Sequence, residues 1–179
     1  SARVWWMLRV MGQRDVKVLD GGLKAWTDAG GETEDLPPVA VERHFTARVR
    51  SDLLKDSDQM LAASANSSHN IIDSRSAERF SGEAPEPREG LPSGHIPGSI
   101  CLPSGELRTE DGRMKSAEEL GKLFPNPLAP TIATCGSGVS AAVTALALAR
   151  LGNWDVAVYD GSWAEWASDA SRPVATGTA

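Results

Sequence analysis

One string in this chain occurs twice. Residues 16–26 read VKVLDGGLKAW and residues 156–166 read VAVYDGSWAEW. Val16, Val18, Asp20, Gly21 and Trp26 recur as Val156, Val158, Asp160, Gly161 and Trp166. A helix-like segment precedes each copy, opening Ser1-Ala2-Arg3-Val4 in the first and Ser140-Ala141-Ala142-Val143 in the second. Matched units in the same order indicate a duplicated domain. Two unrelated strand–turn–helix units with a shared turn preference are the plainer alternative, but the match also covers the spacing to the tryptophan and the helix upstream. Because Ser1 aligns with Ser140, the first copy starts just after the position corresponding to Cys135. It keeps one helix, one strand and a short helix, and one strand cannot make a sheet. The expectation is therefore a chain that starts inside a longer protein or pairs with a separate piece. Residues 1–30 are then the C-terminal remnant of a first domain, 31–50 a linker, and 51–179 a complete second domain.

Hydrophobic spacing fills in the elements. Val4, Trp5, Leu8 and Met11 recur with helical spacing over residues 1–12. Val16 to Leu19 reads as a buried strand with Asp20-Gly21-Gly22 as its turn, and Leu23 to Ala29 as a short helix. Residues 45–49 read as extended, and Leu53 to Ala63 as a helix capped by Ser51 or Asp52. Asn70–Asp73, Thr131–Thr134 and Val156–Tyr159 read as strands, and 81–99 as a long loop rich in proline and glycine. Ser116 and Glu119 form a capping box for a helix to Phe124, and Ala141 to Leu151 is a further helix. The tail after Ser171 is expected to fray. Strands alternating with helices imply an α/β domain around a central, mainly parallel sheet flanked by helices.

The chain has 179 residues and a net charge of −6, which argues against a nucleic-acid surface. No apolar run reaches the length of a membrane span, and no secretory leader is visible. Cys101 and Cys135 are the only cysteines, too few for a disulfide framework, so a reducing compartment is the simplest reading. Cys101, just after the turn GHIPGS, is expected to fill a small apolar site. His44, His69 and His95 are far apart and give no metal-ligand spacing.

Chemistry concentrates at Cys135-Gly136-Ser137-Gly138-Val139-Ser140, between a short apolar strand and a helix. In open α/β sheets ligands bind at the carboxyl ends of strands. The glycines let the backbone curl so that its N–H groups form an anion cradle at a helix N-terminus. Such a cradle favours a thiolate, the reactive form of cysteine, and would equally hold a persulfide anion. A buried inert cysteine is the alternative for an isolated thiol, but the strand–cysteine–glycine loop–helix context favours a reactive one. Cysteine phosphatases use a similar loop with an arginine six residues after the cysteine; here that position is Ala141, and no cation lies between Cys135 and Arg150. Arg79 and Arg88, in RFSGEAPEPR, are able to hold a carboxylate, although composition alone favours pairing with Glu83, Glu86 or Glu89. Arg75 reads as a structural ion-pair partner that pins loops, His95 as a structural group within its turn, and Trp163 and Trp166 as residues bordering the site.

The strings DSR, GHIPGS, CGSGVSAA and YDGSWAEW resemble the tandem rhodanese family over the whole chain. CGSGVS and RFSGEAPEPREG resemble its 3-mercaptopyruvate sulfurtransferase branch more than its thiosulfate branch, whose loop is typically basic after the cysteine. The resemblance implies a rhodanese-like fold with Cys135 as the persulfide-forming nucleophile. It implies that Gly136, Ser137, Gly138, Val139 and Ser140 stabilise the sulfur anion, with Ser137 in a Ser-His-Asp relay. It further implies that Arg79 and Arg88 bind the substrate carboxylate. The relay His and Asp belong to the first domain and have no counterpart here. Ser140 stands where threonine is frequent, which keeps the hydroxyl. The implied function is sulfur transfer from 3-mercaptopyruvate to cyanide or a thiol acceptor such as thioredoxin, without metal or organic cofactor, in the cytoplasm or mitochondria. The alternatives are thiosulfate:cyanide sulfurtransfer and an inactive fragment serving as a binding module. Implied partners are the small-molecule sulfur donor, the thiol acceptor and the missing N-terminal half, with no nucleic acid and no membrane.

Overall fold

A computed structural model describes residues 1–37 and 41–178. The chain opens with helix α1 (Ala2–Val10) and helix α2 (Gly22–Asp28). Strand β1 (Leu54–Lys55), helix α3 (Ser57–Asn66), strand β2 (Asn70–Asp73) and helix α4 (Ala77–Ser81) follow. Next come strand β3 (Ser99–Cys101), helix α5 (Ala117–Leu123), strand β4 (Thr131–Thr134), helix α6 (Ala141–Arg150), strand β5 (Ala157–Tyr159) and helix α7 (Ser162–Trp166). The strands form one sheet in the order β1-β5-β4-β2-β3, and every pairing is parallel. Parallel strands need helices on both faces, which is why all of β4 is buried.

The two faces of the sheet feed separate apolar clusters. Ile72, Ala133 and Val158 face α1, α5 and α6, whereas Ile71, Ile132 and Ala157 face α3 and α7. α6 is rich in alanine, and Ala141, Ala142, Ala145 and Ala149 are all buried, so sheet and α1 both approach it closely. The Ser116–Glu119 capping box is present at α5, and the expected strands at Asn70–Asp73 and Thr131–Thr134 form.

Four expectations are corrected. Val16–Leu19 is not a strand: it pairs with nothing among the described residues, and Leu19 is 56% exposed. The Leu19 carbonyl accepts from Gly22 N–H at 3.0 Å in the turn, and extended backbone with no neighbouring strand leaves the remaining N–H and C=O groups to water. The helix expected from Leu53 starts at Ser57, because Asp56 and Gln59 make a reciprocal capping box and the residues before it are used by β1. On α1 the stripe Val4, Leu8 and Met11 is exposed, while Ala2, Trp5, Trp6 and Val10 are buried. The indole rings set that face, with Trp6 Nε1 donating to the Leu53 carbonyl at 3.2 Å. Finally, the tail does not fray. Ala175 exchanges backbone hydrogen bonds with His95, Trp166 Nε1 donates to the Pro173 carbonyl, and Arg172 pairs with Asp58.

The segment just before β1 is anchored as well. The backbone N–H groups of Arg48 and Arg50 donate to the carbonyls of Met11 and Val10. These are carbonyls that the end of α1 leaves unpaired.

Candidate active site

The strand order places Cys135 where the connectivity reverses. β2 connects onward to β3 on one side, and β4 connects to β5 on the other. The crevice between the carboxyl ends of β2 and β4 is thus the switch point at which open α/β sheets bind ligands. Cys135 ends β4 there, and Asp73-Ser74-Arg75 ends β2. Cys135 is a free thiol, 1% exposed. The Cys135 carbonyl accepts from Trp163 N–H at 2.9 Å and the Gly136 carbonyl from Ala164 N–H at 3.1 Å, so the first turn of α7 is bonded to the loop.

Ser162 completes this junction. Its hydroxyl donates to the Tyr159 carbonyl at 2.9 Å, accepts from Cys135 N–H at 3.3 Å and lies 3.9 Å from Cys135 Sγ. It is fully buried and adopts φ +53°, a left-handed conformation that L residues with a side chain rarely hold. Sequence reading passed over Ser162. The available signal was its place in the repeat, where the first copy has Gly22 at φ +64°.

The loop itself fits the cradle expected from its glycines. The N–H groups of Gly136 to Ser140 have no protein acceptor among the described residues, and α6 starts directly after them. Gly138 has φ +75°, and a Cβ there would sit 2.5 Å from Asp160 Oδ1. Only glycine fits that position. Ser137 and Val139 are exposed at the loop rim, and Ser140 is half-buried. No histidine or carboxylate is within hydrogen-bonding distance of Ser137 among the described residues.

One buried ionic chain reaches the loop from β2. Arg75 pairs with Asp73 at 2.7 Å and with Glu86 at 2.8 Å, donates to the Gly94 carbonyl, and lies 4.5 Å from the Trp163 ring centroid. Burial opposes the Arg75 charge, but its hydrogen bonds to Asp73 and the fields of Asp73 and Glu86 outweigh it and raise its pKa. Glu86 also binds Arg79, through Nε at 3.1 Å and through Nη2. That grip holds Arg79 against the loop, where a Cβ built on Gly136 would lie 3.0 Å from Arg79 Nη2. Arg79 thus joins the Cys135 loop, already bound to Glu86, one of the three acids weighed from composition. Arg88 is exposed and makes no ion pair among the described residues, so it is not brought to the loop by any contact.

The remaining candidates sort by their contacts. Buried His95 stacks on Phe80 at 3.8 Å between ring centroids and bonds the Phe80 carbonyl through Nδ1, a structural role. Trp163 touches the site through its backbone, and its Nε1 donates to the Pro92 carbonyl. Cys101 is half-buried, and burial, then the Asp73 carboxylate, push its thiol up to about 11 against the pull of Arg75. No group of three or more His, Cys, Asp or Glu residues is placed to hold a metal ion among the described residues. A groove of about 1010 Å³ lies elsewhere, between the first segment and α6, lined by Trp5, Val18, Trp26, Val143 and Leu146 among others. Cys135 does not line it.

Residues 56–169 match the sequence model of the family described as "Rhodanese-like domain". The chain belongs to that family. It is 40% identical over 199 residues to the thiosulfate/3-mercaptopyruvate sulfurtransferase 2 of Arabidopsis thaliana, covering 97% of this chain and 58% of that protein. It is 44% identical over 171 residues to the thiosulfate sulfurtransferase of Rattus norvegicus, covering 93% of this chain and 58% of that protein. The crystal structure of the Tum1 protein from Saccharomyces cerevisiae superimposes with a TM-score of 0.82 at 30% identity, over 100% of this chain and 66% of that one. The chain therefore spans little more than half the length of the curated relatives it matches. No helix among the described residues is long and apolar enough to cross a membrane.

Proposed function

We propose that this chain carries the sulfur-accepting half of a sulfurtransferase whose donor is 3-mercaptopyruvate. The observation that carries the reading is a free cysteine at the switch point of the sheet, followed by the unpaired N–H groups of Gly136 to Ser140. The Cys135 thiolate attacks the donor sulfur. The donor C–S bond breaks, its electron pair passes to the pyruvate enolate, and protonation of that enolate releases pyruvate. The loop amides hold the persulfide anion, with Ser137 and Ser140 supplying hydroxyls. An acceptor thiolate, such as that of a reduced thioredoxin, or cyanide then attacks the outer sulfur and regenerates the Cys135 thiolate. No cofactor takes part.

The neutral Gly136-Ser137 supports a carboxylate donor over thiosulfate; the proposed partners of that carboxylate are Arg79, through the Nη1 edge that Glu86 leaves free, and Arg88, which would have to swing in from its exposed position. Gly136 leaves the Arg79 guanidinium against the loop, where a larger residue would press on it. Residues 1–30 are read as the end of a preceding rhodanese-like unit and 31–50 as the linker to the catalytic unit of 51–179. That preceding unit is the source of the relay partners for Ser137. Two free cysteines support a reducing compartment, cytoplasmic or mitochondrial.

The test is pyruvate release against sulfite release, measured in parallel with 3-mercaptopyruvate and thiosulfate. Faster turnover of 3-mercaptopyruvate, falling at least tenfold in Arg79→Met, supports the reading. Preference for thiosulfate sinks the donor assignment and leaves sulfur transfer standing. Turnover of neither donor, with or without an added first domain, turns the reading to a binding module.

A further inference from the structure

Each repeat copy has an aspartate in its Asp-Gly turn, and each aspartate is held by an arginine of the other copy. Asp20 accepts from Arg150, at the end of α6, at 3.4 Å. Asp160 pairs with Arg3, in the first turn of α1. The two clamps differ in what else they touch. Arg150 bonds only the aspartate, on an exposed surface. Arg3 also donates from Nη1 to the carbonyl of Gly138 at 3.1 Å, inside the Cys135 loop, and lies 4.7 Å from the Trp6 ring centroid. Its side chain is only 25% exposed.

That second bond bears on the loop directly. A peptide group is planar and trans, so the Gly138 C=O and the Val139 N–H point in opposite directions. Fixing the carbonyl on Arg3 turns the Val139 N–H away from Arg3. Asp160 closes the same corner, because the left-handed Gly138 packs against both its Oδ1 and the Arg3 guanidinium. Without Arg3, the flexible Gly138 would leave this peptide free to flip, and a flipped peptide would present a carbonyl where an N–H is needed.

We infer that Arg3 is a positioning residue for the sulfur-binding loop: by gripping Asp160 and the Gly138 carbonyl, it fixes the Gly138–Val139 peptide with its N–H available to the persulfide on Cys135. The inference rests on the sulfur-transfer reading above. It gives the first segment a task in the site, since α1 carries the clamp from a different repeat copy.

The experiment compares Arg3→Met, Arg3→Lys and Arg9→Met in the full 179-residue chain. Arg9 lies on the same helix, packs on Trp5 and Trp154 and donates to the Trp154 carbonyl, so its loss weakens α1 docking without touching the loop. Two readouts are taken: amide hydrogen exchange of the peptide covering residues 135–140, and the rate of persulfide formation against donor concentration. Arg3→Met is expected to speed exchange in that peptide, and to slow the saturated loading rate, by about tenfold each, with half-saturation changed less than about twofold. Arg3→Lys restores part of both, and Arg9→Met leaves both near wild type. Unchanged exchange in Arg3→Met, or equal loosening in Arg9→Met, overturns the inference. If the unmodified chain takes up no sulfur even after a first domain is supplied, the sulfur-transfer reading fails, while the exchange measurement still decides whether Arg3 orders the loop.

Discussion

The two copies of the repeated string share a sequence and differ in structure. After the Asp-Gly turn both form a short helix, α2 in the first and α7 in the second, and Gly22 and Ser162 both take a left-handed backbone. Before the turn they part. Ala157–Tyr159 is a strand inside the sheet, whereas Val16–Leu19 pairs with nothing among the described residues. Trp166 is fully buried and Trp26 is 46% exposed. Turn and helix start are local properties, set by residues within a few positions. A strand is not, because its hydrogen bonds lie on a neighbour. The comparison separates what this string encodes by itself from what it borrows.

The comparison can be tested by paired substitutions. Trp166→Ala is expected to cost about 3–5 kcal/mol, since it empties a fully buried site and frees the Pro173 carbonyl. Trp26→Ala is expected to cost about 1 kcal/mol or less. Denaturant unfolding of the two variants checks this, and equal losses would break the distinction. Arg75→Met isolates something the first copy lacks. It leaves Asp73 and Glu86, both buried, without their shared cation, at an expected cost of about 3–5 kcal/mol. A thermal shift of only a degree or so would mean that the network contributes little.

A subtler pair compares the two turns. Ser162→Ala removes the hydroxyl that serves both Tyr159 and Cys135, an expected loss of about 1–3 kcal/mol. Gly22→Ala meets no neighbouring atom, so only its left-handed backbone is penalised, by roughly 1–2 kcal/mol. If Ser162→Gly recovers most of the stability of Ser162→Ala but not the rate of sulfur loading, strain and chemistry are separated at that position. The smallest effect concerns Cys101. Burial pushes its thiol up to about 11, so in a Cys135→Ser chain iodoacetamide labelling of Cys101 should climb with pH well past the range of an ordinary cysteine. A plateau near pH 9, measured by mass spectrometry, would contradict the burial argument (the ordinary value is about 8.5).

These differences also show how much was legible in the sequence. Asn70–Asp73, Thr131–Thr134 and the α5 capping box follow from short-range patterns, and all three form. β1 and β3 escaped because they are two and three residues long, and β3 follows a loop whose prolines and glycines hide it. The tail was misjudged because its anchors, His95, Asp58 and Trp166, lie far from it along the chain. At the site, the loop from Cys135 to Ser140 was visible because its glycines and its strand–helix setting are contiguous. Arg79 stands out in the sequence as a candidate, but the ion pair with Glu86 that holds it against the loop is only one of several options there. Ser162 and Arg3 reach the loop from other elements, and nothing local marks either as part of it.

The central claim is that Cys135 takes up sulfur in the cradle of its own loop. Intact-mass spectrometry of the purified chain after brief exposure to 3-mercaptopyruvate tests it most directly, with Cys135→Ser and Cys101→Ser run alongside. The account predicts one added sulfur atom on the wild type and on Cys101→Ser, removed by a reduced thiol, and none on Cys135→Ser. An adduct that persists in Cys135→Ser, or no adduct in any of the three even after a first domain is supplied, would contradict it.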